Sequence, residues 1–187
     1  LAYFEIIAIN PTGKKTGSSR RWFDMDDAKL QAAVAHEPRL VHWVANTPDV
    51  QAARKALTEL GLERGPAVSA SRHSRKGLVQ WQITLRDDGQ RLFDGCLPSL
   101  IQWGRPDAAE PLRLHPRNSL PRSGVSLHSL AVTHPSAAKL QAAYEALGLT
   151  DIAVQPGAAK PSIEPGLGQC AVAAVPSANA TSARKRL

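Results

Sequence analysis

Val41-His42-Trp43-Val44-Ala45-Asn46-Thr47 and Leu127-His128-Ser129-Leu130-Ala131-Val132-Thr133 are two versions of one pattern, 86 residues apart. Each is a short apolar, β-branched run with His in second place and Thr at the end, and each reads as a strand. Each is followed by an Ala-rich stretch that closes on Leu-Gly-Leu: Leu60-Gly61-Leu62 in the first copy, Leu147-Gly148-Leu149 in the second. In the first stretch Val50, Ala53, Leu57 and Leu60 recur at helical spacing, which predicts a helix over 49–60. The second predicts a helix over 136–147. A glycine just past the last helical turn is a common stop, because it takes a left-handed conformation without a Cβ clash. Similarity that persists through strand, helix and stop points to internal repetition.

Working outward, three further strands follow the first helix. Val68–Ser71 makes a short one, placed at 67–71. In Leu78–Leu85 the residues Val79, Trp81, Ile83 and Leu85 alternate with Gln80, Gln82 and Thr84, so one face is apolar and the other polar. Asp87-Asp88-Gly89 is a turn, and Leu97–Trp103 is a strand closed by Gly104. A strand, a helix and three closely spaced strands form a βαβββ unit, largely antiparallel in its second half. After the second helix, Ile152–Val154 and Gln169–Val175 read as strands. Upstream, Leu1–Ile9 has the composition of a buried strand, 12–20 that of a loop, and 22–36 that of a helix with Asp24, Asp26 and Asp27 near its start.

The chain thus divides into a closing strand plus helical connection at 1–38, a full unit at 39–105, and a Pro- and Arg-rich linker at 106–123. A partial unit at 124–177 and a disordered tail at 178–187 complete it. The class is α+β: tandem βαβββ modules forming a curved mixed sheet with helices outside. A start at Leu, directly in a strand pattern, suggests that sequence precedes it.

Composition restricts function. At 187 residues, 43% hydrophobic and 21% charged, the chain is an ordinary globular one. Its net charge of +7 raises the question of nucleic acid. The basic residues are dispersed, apart from a terminal Arg184-Lys185-Arg186, and no aromatic stripe interleaves them, so no nucleic-acid partner is expected. No apolar run reaches the ~20 residues of a membrane span, so no membrane is expected either. Cys96 and Cys170 lack metal-knuckle spacing and suit a reducing, cytoplasmic compartment, with a disulfide between them left open.

Several strings resemble the glyoxalase-like domain family of the vicinal oxygen chelate superfamily. They are Tyr3–Pro11, Arg21-Trp22-Phe23, Arg39–Ala45, Trp81–Gly89 and Gly95–Trp103. In that family the strand like Tyr3–Ile9 closes a preceding module. Metal-dependent members hold a divalent cation on the first and last strands of each module, which implies Glu5, His42 and Gln102 here as ligands for zinc, nickel, manganese or iron. Glu5 would double as a catalytic base. The metal would serve lyase, isomerase or dioxygenase chemistry on adjacent substrate oxygens. His128 takes the equivalent place in the later unit, whose last strand, read as 169–175, offers only Ala and Val in place of an acid.

Each residue has a plainer reading. Glu5 could equally pair with an Arg, since a carboxylate inside an apolar strand needs a partner. His42 could be a hydrogen-bonded core residue. Trp43, Trp81 and Trp103 either line an aromatic pocket for a small molecule or simply pack the sheet. Arg72, with His73 and Arg75, lies in an expected loop and either binds an anionic substrate or is solvated. The competing function is metal-free sequestration of a small molecule in the concave sheet. Unpaired module edges would suit a homodimer.

Overall fold

In the computed structural model the described residues are 5–10, 20–74, 77–104, 124–157 and 161–169. They form three α-helices and seven strands: α1 Ala28–Val34, β1 Val44–Asn46, α2 Val50–Glu59, β2 Ala67–Ser74, β3 Gly77–Thr84, β4 Ser99–Trp103, β5 Val125–His134, α3 Ala137–Ala146, β6 Ala153–Pro156 and β7 Ser162–Gln169. The class is α+β, with two mixed sheets.

The first sheet runs β1-β4-β3-β2. β1 and β4 are parallel, while β3 is antiparallel to both β4 and β2. This is the βαβββ unit expected from the sequence. Its first strand lies beside its last, and α2 makes the crossover from β1 to the far edge. The second sheet runs β6-β5-β7, with β6 parallel and β7 antiparallel to β5. Here the strand after the helix lies directly beside the strand before it. Among the described residues the second unit is therefore βαββ, in an order different from the first.

The helix stops are the same in both units. Gly61 and Gly148 take φ of 67° and 69°. Leu62 N–H returns to Leu57 O at 2.9 Å, and Leu149 N–H to Tyr144 O at 2.8 Å. Both bonds satisfy carbonyls that the helix end would leave bare. α2 and α3 pack on one another. Ala45, Val50, Leu57, Leu97 and Leu100 of the first unit share one core with Val132, Leu140, Ala143 and Tyr144 of the second. The helices stay off the other face of the first sheet, and their contact joins the units. Tyr144 Oη donates to Cys96 O at 2.6 Å across that junction.

Several sequence expectations change. Residues 5–10 are irregular and mostly exposed, with Ile6 96% exposed, in place of a buried strand. The predicted helix over 22–36 divides into a short 3-10 turn, Trp22–Asp24, and α1, which starts where the Asp27 carboxylate caps Leu30 N–H. β2 runs on to Ser74, so Arg72 and His73 stand on a strand and the loop placed there is absent. The last strand is Ser162–Gln169, earlier than the expected 169–175. It carries Glu164 opposite Ala131, so it does offer an acid. The linker, the tail, Arg75 and Cys170 lie outside the described residues.

Candidate functional site

The alternation in β3 decides which face is which. Trp81 and Ile83 lie opposite Trp103 and Ile101 of β4, and Arg72 lies opposite Val79. Directly opposed residues share a face. Val79, Ile83, Leu85, Ile101 and Trp103 form a second buried cluster, with Trp81 and Phe23 against it. Trp81 and Trp103 meet at 5.4 Å between ring centroids, inclined at 47°. The sheet therefore carries a helix face, with Ala45 and Leu100, and an aromatic face, with Trp81, Trp103 and Ile101. At the margins of the aromatic face Val44, Val68 and Arg72 are exposed.

Ser99 lies two residues before Ile101 on β4 and so belongs to the aromatic face. It is fully buried. Its Oγ stands 3.0 Å from His42 Nε2, and its N–H points to the same nitrogen at 3.3 Å. The other ring nitrogen, Nδ1, is 3.0 Å from Gly95 O. A carbonyl can only accept, so Nδ1 carries the proton and Nε2 accepts from Ser99. The Phe23 ring lies 4.9 Å from the imidazole. Burial, then the nearby charge of Arg64, pulls the His42 pKa from 6.5 to about 3, against the opposing Gly95 hydrogen bond. His42 is a neutral histidine with both nitrogens committed.

Arg64 completes the cluster. It is 2% exposed, and its Nη2 donates to Ser99 Oγ. Nε and Nη1 are buried and have no hydrogen-bond partner among the described residues. Among the described residues no acid forms an ion pair with it, while Arg86 is tied to Asp88 at 2.6 Å and Arg91 to Asp24 at 3.0 Å. Burial, followed by the charge of Arg86, lowers the Arg64 pKa to about 10, which leaves the guanidinium charged at neutral pH. An unmade buried hydrogen bond costs about 1–3 kcal/mol, and more at a charged group. Sequence reasoning missed Arg64 and Ser99. The Ser99–His42 pair ends on the Gly95 carbonyl in place of an acid.

The three expected metal ligands do not come together. Gln102 is three residues from Ser99 on one strand, so it faces the helices while His42 serves the aromatic face. Its Oε1 accepts Val50 N–H at 2.9 Å and caps α2. Glu5 stands in the exposed, irregular stretch. Among the described residues no group of three or more His, Cys, Asp or Glu is placed to hold a metal ion. As placed, Glu5, His42 and Gln102 do not form a donor set that fits a divalent cation.

Of the expected binding residues, Trp81, Trp103 and Arg72 share the aromatic face. Trp43 does not: its Nε1 donates to Cys96 O at 2.8 Å and its ring meets Tyr144 edge-on at 5.7 Å, in the core between the units. In the later unit His128 is exposed and contacts Ser126. No helix among the described residues is long and apolar enough to cross a membrane. Compared with known families, residues 1–148 match the one described as a glyoxalase-like domain. No curated protein and no solved structure matches the chain significantly.

Proposed function

Given that the chain belongs to the glyoxalase-like domain family of the vicinal oxygen chelate superfamily, we propose that it is a metal-free binding module that holds a small molecule on the aromatic face of its first sheet. The observation that carries this reading is the opposite facing of His42 and Gln102 across β4, with Trp81, Trp103 and Arg72 gathered on the His42 side. Ring faces and apolar side chains supply contact area, and a few polar groups orient the ligand. His42 contributes by fixing Ser99, with no lone pair left for a cation.

Titration calorimetry with zinc, nickel, manganese and iron(II), beside tryptophan fluorescence with neutral aromatic probes such as indole, tests the reading. The expected result is no metal binding tighter than about 1 mM, roughly 4 kcal/mol, and a Trp81-dependent fluorescence response to the probes. Micromolar metal binding lost in His42→Ala would overturn it.

A further inference from the structure

A folded protein seldom leaves a charged group inside itself without a counter-charge, because the hydration lost on burial has to be replaced. Arg64 is such a group. It is almost wholly enclosed, one donor is met by a neutral hydroxyl, and among the described residues nothing accepts from Nε or Nη1. The neighbouring cations are not part of this surplus, since Asp88 and Asp24 neutralise Arg86 and Arg91. Among the described residues no acid is paired with Arg64 itself. Ser99, which receives the Arg64 proton, gives its own to His42 and is thereby held in place.

We propose that Arg64 is the anchor of an oxyanion site, and that the small molecule held on the aromatic face is a carboxylate with an apolar or aromatic body. This rests on the reading of that face as the binding surface. A carboxylate matches the site in three respects. It brings a negative charge to a buried cation that no described acid pairs. It accepts two hydrogen bonds in the plane of the guanidinium, from Nε or Nη1 together with the second Nη2 hydrogen, the pairing that arginine favours. And Ser99 stands on the same strand face as Ile101 and Trp103, so a body attached to the carboxylate would lie along apolar side chains. The donors are interior, so the ligand enters by local opening and associates slowly for its size.

Thermal unfolding of the whole chain with acetate, benzoate and phenylacetate, each beside its amide and beside phenyl phosphate, tests this. Carboxylates are expected to raise Tm and amides are not. Arg64→Met removes an uncompensated buried charge, so it is expected to raise the Tm of the ligand-free protein and to abolish the carboxylate response. Arg64→Lys keeps the charge without the fork and is expected to weaken the response about tenfold or more, the worth of one charge-assisted hydrogen bond. A Tm that carboxylates leave unmoved, or move no more than amides do, would overturn the anchor. So would a response confined to phenyl phosphate, or one that survives in Arg64→Met. If indole still quenches Trp81 while carboxylates do nothing, the anchor fails and the binding face stands. If indole fails too, both fall.

Discussion

Ser99 and Gln102, three residues apart on β4, face opposite ways and do different work. Ser99 locks His42 on the aromatic face, and Gln102 caps α2 on the other. The family resemblance suggested Gln102 as a metal ligand. Its Oε1 instead receives the first N–H of α2, while Asp49 receives the next two, from Gln51 and Ala52. Gln102→Leu is expected to leave Val50 N–H buried without an acceptor and to cost about 1–3 kcal/mol. For a chain of this size that lowers Tm by about 2–4 °C per kcal/mol. Ligand binding, read by tryptophan fluorescence, should be unchanged.

His42 makes stability depend on pH in one direction. In the unfolded chain it takes up a proton near pH 6.5, and in the fold only near 3. Between those values the unfolded state binds the extra proton, so acid favours unfolding. Stability is full above pH 6.5 and falls towards pH 3, with a slope approaching about 1.4 kcal/mol per pH unit from this residue. Denaturant unfolding at a series of pH values measures the slope. His42→Gln should start less stable and lose this part of the slope; an unchanged slope would mean that the imidazole is not held neutral.

The two helix stops offer an internal control. Gly61 and Gly148 have the same left-handed backbone, and a Cβ at either would meet nothing within 4 Å. The cost of an alanine there is conformational alone, about 1 kcal/mol. Gly61→Ala and Gly148→Ala should therefore destabilise equally in denaturant melts. Unequal losses would mean that the repeat is not energetic at this point.

Much of this fold was legible because its signals are local. The 3.6-residue spacing of Val50, Ala53 and Leu57, the Leu-Gly-Leu stops and the alternation through Trp81 each report on their own segment. Leu1–Ile9 also has a strand's composition, yet a strand needs a neighbour for its N–H and C=O groups. None of the described sheet strands pairs with residues 5–9. The site divides in the same way. Counting by twos along β4 separates Gln102 from Ile101 and Trp103, so its placement away from the aromatic face could have been read in advance. Arg64 could not. It lies between Glu63 and Gly65 in a polar connection, and its burial beside Ser99 of β4 is a tertiary event with no sequence period.

Buried Cys96 lies where the two units meet, close to Ser162 of β7, and its thiol is pushed up to about 11 by burial and by Asp94. A thiol that is protonated and enclosed resists alkylation. Labelling with a maleimide at pH 7 should proceed there only as fast as the protein opens. Rapid labelling of Cys96 in native buffer, read by peptide mass mapping, would contradict this packing.

The hydrogen bond from Tyr144 to Cys96 and the core around it carry a consequence for how the chain can be divided. A fragment ending near residue 104 would keep every strand of the first sheet. It would also lay bare the leucines and the alanine that α3 now covers, and such a surface associates with its own kind. The halves repeat each other in sequence, yet neither is a module that can be lent out. The shared core predicts that they melt together, in one cooperative transition, so that evolution or an engineer would have to exchange them as a pair.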